Sequence, residues 1–181
     1  MAALIFISGG VRSGKSSYAE NIALSLGAAA NAPLYYLATS PVNGDRELQE
    51  RIHYHRSERD QSWQTLEEVY HIDHSLALLP AGAVVLLDCL TIWMSTAIFQ
   101  EQASLQDILD KLEQLIKNAA SREQTLLIVS NDLNEALPIP CEMTQHYIYC
   151  LERSHDFLIR HAQWVIQTIA GIPCFWKGEP L

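Results

Sequence analysis

No run of lysine or arginine occurs anywhere in this chain. Neutralising the phosphates of a nucleic acid takes a clustered cationic surface. Here 21 Asp plus Glu against 12 Lys plus Arg give a formal net charge of −9 over 181 residues, which argues against nucleic acid as a partner. A disulfide framework is missing too. Cys89, Cys141, Cys150 and Cys174 are widely separated and form no C-x-x-C pair, so they read as reduced, mostly buried thiols of a cytosolic protein. The opening apolar run, Ala2 to Ile7, has no basic segment before it and is ended by the pair Gly9-Gly10. It is too short for a signal peptide or a membrane span, and the expectation is a soluble, cytoplasmic protein. Neither a repeat, a low-complexity tract nor a Pro/Gly linker divides the chain, which predicts one domain over residues 1–181. Charge itself is scarce, 18% against 49% apolar residues. Such a chain is too hydrophobic to be disordered, and its length allows a real core without disulfide or metal staples. The low charge also suits extensive burial, including a subunit interface.

Apolar, β-branched runs alternate with stretches of helical periodicity, the pattern of α/β proteins whose parallel strands are covered on both faces. Strands are predicted at Leu4 to Ser8, Leu34 to Ala38, Val84 to Leu87, Leu126 to Ser130 and Trp164 to Thr168. A short extended piece at Cys174 to Trp176 closes the sheet. Helices are predicted at Lys15 to Leu26, Arg46 to Arg59, Thr91 to Gln100, Leu105 to Ala120 and Met143 to Ala162. The loosest region is Asn131 to Glu142, where Pro138 and Pro140 forbid a continuous helix.

Gly9-Gly10-Val11-Arg12-Ser13-Gly14-Lys15-Ser16 fits G-x-x-x-x-G-K-[ST], directly after a hydrophobic strand and directly before a helix. Glycines let the backbone curl so that its N–H groups face phosphate oxygens, and the helix adds the positive end of its dipole. Lys15 would hold the terminal phosphates and the Ser16 hydroxyl would ligate Mg²⁺. By chance the pattern arises in roughly one chain in a hundred of this length, and its placement makes nucleotide binding the stronger reading. Arg12, inside the loop, either touches a phosphate or forms a structural salt bridge. Val84-Val85-Leu86-Leu87-Asp88 is a buried-type strand ending in a carboxylate, the form of a Walker B segment that contacts Mg²⁺; the alternative is an Asp that caps the next helix. The expected fold is α/β of P-loop NTPase type (RecA-like), a mostly parallel sheet flanked by helices. The guanine motif N-K-x-D of switch GTPases is missing.

Arg51-Ile52-His53-Tyr54-His55-Arg56-Ser57-Glu58-Arg59 would, as a helix, put Arg51, His55 and Arg59 at i, i+4 and i+8. The flanking cations disfavour imidazolium, and neutral imidazole is the form that attacks phosphorus. The bland alternative is a solvated helix face. Taken in order, Gly9 to Ser16, Tyr36-Leu37-Ala38-Thr39-Ser40, His55-Arg56-x-x-Arg59, Trp63-x-Thr65-x-Glu67 and Leu86-Leu87-Asp88-Cys89-Leu90-Thr91 resemble the bifunctional adenosylcobinamide kinase/adenosylcobinamide-phosphate guanylyltransferases of cobalamin biosynthesis. The match in order and spacing covers roughly the first half of the chain.

The resemblance implies two reactions. A nucleoside triphosphate, ATP or GTP, phosphorylates the aminopropanol hydroxyl of adenosylcobinamide, and GTP then guanylylates a histidine that passes GMP to adenosylcobinamide phosphate. His55 matches the guanylylated histidine, and Lys15 is the catalytic partner in the phosphate loop. Nucleotide contacts fall on Gly9, Gly10, Val11, Arg12, Ser13, Gly14, Lys15 and Ser16, on Ala38, Thr39 and Ser40, on Arg56, Ser57, Glu58 and Arg59, on Glu67 and on Asp88, with Mg²⁺ on Ser16 and Asp88. The implied partners are a corrinoid and nucleoside triphosphates, and the implied assembly is a homo-oligomer, a trimer. The chain departs from the family in Asp60, where Pro is usual. The N-E-V-G-x-G-x-V-P loop is here Asn131-Asp132-Leu133-Asn134-Glu135-Ala136-Leu137-Pro138-Ile139-Pro140, and the F-R-D-x-x-G-x-x-N-Q helix is here Tyr147 to Asp156. The nucleotide half thus matches and the acceptor half is rewritten. That leaves open a kinase of another alcohol, or a non-catalytic nucleotide-binding module.

Three smaller groups carry weaker signals. His71-Ile72-Asp73-His74 reads as a solvated turn before a helical Leu76 to Leu79 rather than a metal cluster. His146, His155 and His161 scatter around one predicted helix and read as exposed or structural. Trp164, Phe175 and Trp176 read as core or interface.

Overall fold

The apolar runs predicted as strands do form strands, and they assemble into one sheet. The computed structural model describes residues 2–40, 62–133 and 141–180. Among them are β1 (Ala3–Gly9), β2 (Leu34–Ala38), β3 (Trp63–Glu67), β4 (Val84–Asp88), β5 (Thr125–Asn131), β6 (Trp164–Ile169) and β7 (Ile172–Lys177). Their order in the sheet is β3-β2-β4-β5-β1-β6-β7. The first six are parallel, and β7 returns antiparallel to β6.

Between the strands lie α1 (Lys15–Ala30), α2 (Ile72–Leu78), α3 (Leu90–Phe99), α4 (Leu105–Ser121) and α5 (Glu142–His161). In α4, Ile108, Leu112, Leu115 and Ala119 recur every three to four residues and are buried, the stripe a helix needs to cover a sheet. Ser104 and Asp107 start it with a reciprocal capping box. α1 ends at Asn31 in the left-handed conformation, φ 49°, which Asn tolerates.

Because side chains alternate along each strand, the sheet carries two cores. One face presents Ile5, Ile7, Leu86, Leu127 and Val129 to Ala19, Ile22 and Ala23 of α1. The other presents Leu4, Phe6, Leu87, Leu126 and Ile128 to α2, α3, α4 and α5. A parallel sheet covered on both faces is the predicted arrangement.

Two elements depart from expectation. β3 is a strand that the sequence pattern does not reveal: Gln64, Thr65 and Glu67 are exposed, and pairing with β2 makes it an edge strand. The stretch His71 to His74 is not a solvated turn. Helix α2 begins right after His71, Ile72 and Leu76 enter the core, and Asp73 is buried beneath Lys111 of α4, Nζ to Oδ1 3.8 Å. Burial of the i, i+4 apolar pair overrides the polar look of the segment. The predicted helix Arg46 to Arg59 lies outside the described residues.

The parallel strands all end at one edge of the sheet. Ala38 is in register with Glu67 and with Asp88, Asp88 with Val129, and Gly9 with both Asn131 and Thr168. Open α/β sheets bind ligands beyond this edge.

Candidate active site

At that edge β1 runs into the glycine loop. A Cβ on Gly9 would stand 2.5 Å from Ser13 Oγ and 2.6 Å from both the carbonyl and the hydroxyl of Thr168, so only glycine lets the loop fold back so tightly. The Ser13 amide donates to the Gly10 carbonyl at 3.2 Å. Gly14, at φ 86°, turns the chain into α1. Strand β6 braces the loop from outside: the hydroxyls of Ser13 and Thr168 are 3.0 Å apart, Thr168 Oγ1 donates to the Ser8 carbonyl at 3.2 Å, and the Gly171 amide donates to the Ser13 carbonyl at 2.9 Å. Lys15 is buried, and its ammonium donates to the Gly10 carbonyl at 3.1 Å. The loop thus holds its own lysine across its mouth, where a phosphate would meet both the amides and the ammonium. Arg12, exposed at φ 59°, has no ion pair with a described residue.

Asp88 stands at the end of β4 on the α1 side of the sheet. Tyr36 donates its hydroxyl to Asp88 Oδ2 at 2.7 Å, while Oδ1 has no hydrogen-bond partner among the described residues. Such an oxygen pair, with the Ser16 hydroxyl at the loop, is the hard donor set that suits Mg²⁺. Thr39 is wholly buried: its hydroxyl donates to the Cys89 carbonyl at 2.9 Å and accepts from the Cys89 amide at 3.1 Å, bracing the chain beyond Asp88. Ser40 Oγ is enclosed with no hydrogen-bond partner among the described residues. Burial and then the Asp88 charge push the Cys89 thiol up, keeping it protonated. Asn131 Nδ2 donates to Thr91 Oγ1 at 2.9 Å, and Tyr147 of α5 donates to the Thr91 carbonyl at 2.8 Å. Burial raises the Tyr147 hydroxyl above its ordinary value, so it stays a donor.

A second polar group lies at the same edge on the α5 side. Asp132 follows β5, and its amide donates to the Gly9 carbonyl at 3.1 Å. Its Oδ2 accepts from Gln167 Nε2 at 2.9 Å and from Ser8 Oγ at 3.4 Å. Ser130 Oγ and His155 Nε2 are 2.7 Å apart, and the imidazole packs on Phe6. Burial lowers His155 to about 4, against a smaller upward pull from Asp132, so the ring is neutral at neutral pH.

Comparison with known proteins decides the family. The family described as CobU, cobinamide kinase / cobinamide phosphate guanyltransferase, matches residues 5–175. This chain belongs to that family. Among its relatives, the bifunctional adenosylcobalamin biosynthesis protein CobP of Pseudomonas aeruginosa is 32% identical over 176 residues, covering 97% of this chain and 98% of the relative. CobU of Escherichia coli K12, also named a bifunctional adenosylcobalamin biosynthesis protein, is 27% identical over 181 residues, covering 93% and 97%. Among solved structures, the flagellar accessory protein FlaH of Methanocaldococcus jannaschii superposes with a TM-score of 0.53 at 12% identity, covering 98% of this chain and 79% of that one. That likeness speaks for the RecA-like P-loop fold alone. No helix among the described residues is long and apolar enough to cross a membrane.

Within this family member, the fold brings Gly9 to Ser16, Ala38 to Ser40, Glu67 and Asp88 to one sheet edge. His55, Arg56, Ser57, Glu58 and Arg59 lie outside the described residues. Sequence reasoning passed over Tyr36, Thr168 and Gln167, whose roles come from strands that meet only in the sheet. Asn131 and Asp132 are the positions that match the N-E of the family loop, and that match was the available signal. His155 is the structural histidine of its helix. Trp164 and Phe175 pack against the α1-side core, while Trp176 is 73% exposed and is not a core residue.

Proposed function

We propose that this chain, as a single P-loop domain, catalyses both reactions of its family: phosphorylation of adenosylcobinamide by ATP or GTP, and transfer of GMP from GTP to adenosylcobinamide phosphate. The observation that carries the reading is the braced glycine loop with Lys15 across its mouth, two strands from Asp88. In the kinase step the loop amides and Lys15 hold the triphosphate, and the acceptor oxygen takes the γ-phosphoryl group as the β–γ bridging bond breaks. Mg²⁺, when bound to Ser16 and Asp88, offsets the charge on the phosphates. In the second reaction His55 attacks the α-phosphorus of GTP. A P–N bond forms, the α–β bridging bond breaks and pyrophosphate leaves; the phosphate of adenosylcobinamide phosphate then displaces His55. Arg56 and Arg59 stabilise the charge that develops. We place the enzyme in the cytoplasm as a homo-oligomer, by family resemblance a trimer.

Incubation with GTP labelled at the α-phosphate tests the reading. Acid-labile label on the wild-type protein, absent in His55→Ala, is expected, together with phosphorylation of adenosylcobinamide by ATP or GTP. No label under any metal condition removes the guanylyltransferase half. The rewritten residues 131–140 and 147–156 favour a second reading, a kinase of another alcohol. It predicts nucleotide turnover with some acceptor and none with adenosylcobinamide. A non-catalytic nucleotide-binding module would bind GTP or ATP and turn over neither.

A further inference from the structure

The proposed reactions give a task to the phosphate loop, to Asp88 and to His55, but to nothing that handles the attacking hydroxyl. Phosphoryl transfer to an alcohol needs a group that orients the hydroxyl and takes its proton. The two carboxylates at the loop end of the sheet are held differently. Asp88 is on the α1 side, tied to Tyr36, and its open oxygen is the one assigned above, with Ser16, to Mg²⁺. Asp132 sits beyond β5, the strand between the loop strand β1 and the Asp88 strand β4. Its backbone is locked to the first residue of the loop through the Gly9 carbonyl, and its carboxylate turns to the opposite, α5 side, toward Ser8 and Gln167.

That carboxylate is prepared for work rather than spent. Oδ2 takes both contacts, and Oδ1 has no hydrogen-bond partner among the described residues. Gln167 is itself oriented by the Trp176 indole, whose N–H donates to Oε1 at 3.2 Å, so its amide presents Nε2 to Asp132. A fixed carboxylate with one open oxygen, tied to the loop that holds the γ-phosphate, has the geometry of a hydroxyl-orienting base.

We propose that Asp132 is a catalytic residue of the kinase half-reaction: Oδ1 accepts the hydrogen bond of the acceptor alcohol and then its proton, with Gln167 as the positioning residue. As the hydroxyl oxygen bonds to the γ-phosphorus, the bond from that phosphorus to the β–γ bridging oxygen breaks, its electron pair leaves with the nucleoside diphosphate, and the alcohol proton passes to Asp132. Guanylylation of His55 uses a nitrogen nucleophile and does not call on this carboxylate. The proposal rests on the kinase reading above.

Asp132→Asn keeps the shape and the contacts of Oδ2 but cannot take a proton. In steady-state assays with ATP and adenosylcobinamide, kcat is expected to fall about 100-fold or more, with KM for ATP within about twofold and α-label from GTP unchanged. Asp132→Glu, the residue type the family pattern carries here, should recover much of the rate, and Gln167→Leu should lose about tenfold in kcat alone. Wild-type turnover with Asp132→Asn within threefold of it overturns this proposal and leaves the kinase reading standing. Parallel losses in kcat, ATP KM and α-label also overturn it, since they would make Asp132 a prop of the loop. A wild-type enzyme that phosphorylates no adenosylcobinamide overturns the kinase reading first and this proposal with it.

Discussion

The two sides of the sheet's loop-bearing edge are built by different means. On the α1 side the chemistry is nearly contiguous: eight residues, Gly9 to Ser16, form the loop, and the strand ending at Asp88 lies two places away in the sheet, across β5. On the α5 side it is assembled from distant pieces, with Ser8 meeting Asp132 124 residues later and Ser130 meeting His155 across 25 residues. The contiguous side follows a pattern shared with many nucleotide-binding proteins, whereas the assembled side uses its own residues. A phosphate presents the same oxygens in every substrate, so one short loop suffices. An acceptor, by contrast, is recognised by shape, and on the reading proposed above its contacts would be drawn from wherever the fold supplies them.

The sharpest way to break this contrast is Lys15→Met. If the α1 side serves both reactions, kcat/KM for phosphoryl transfer and the yield of α-label should each fall about 1,000-fold, equivalent to about 4 kcal/mol. A loss confined to one reaction would show that the second triphosphate binds elsewhere. Next is Gly9→Ala, whose methyl would clash with both Ser13 and Thr168, the carbonyl of Thr168 included. Overpacking of this kind costs up to about 3 kcal/mol, and chemical denaturation should show it together with weakened nucleotide binding.

The α5 side should reveal itself through acid. His155 is held well below its ordinary value, at about 4, so the unfolded chain binds the proton first as pH falls. Stability from this group is present above about pH 6.5 and is lost as pH drops toward 4. Between pH 7 and pH 5 the loss is about 2 kcal/mol. Denaturation curves of His155→Phe should be flatter by that amount over this window, and an unchanged slope would count against the buried neutral ring. The smallest effect is expected away from both sides. Ser104→Ala removes the α4 capping box at an exposed site, which should cost about 1 kcal/mol of stability and leave both activities unchanged.

Most of the fold was legible because parallel strands buried on both faces read as continuous apolar runs, and β1, β2, β4, β5 and β6 each have one. β3 was not, since an exposed edge strand has no such run and exists through its pairing with β2. The first turn of helix α2 was hidden for the opposite reason: two histidines and an aspartate looked solvated, and only Leu76 onward read as helical, yet Asp73 is drawn beneath Lys111 once α4 packs against it. Of the site, the loop and Asp88 were legible from spacing, while Thr168 and Gln167 sit in a strand with no motif of its own.

Local spacing alone was enough to determine the P-loop sheet class, the lysine placed at the glycine loop and the family resemblance, because a strand, a glycine turn and a helix are set by neighbours a few residues apart. Folding decided the rest. Which strand lies between the loop and Asp88, which hydroxyls brace the loop, and why one carboxylate faces α1 and the other α5 depend on strand order and side-chain alternation. Those are relations between segments from 35 to 155 residues apart, and they come into being only when the sheet forms.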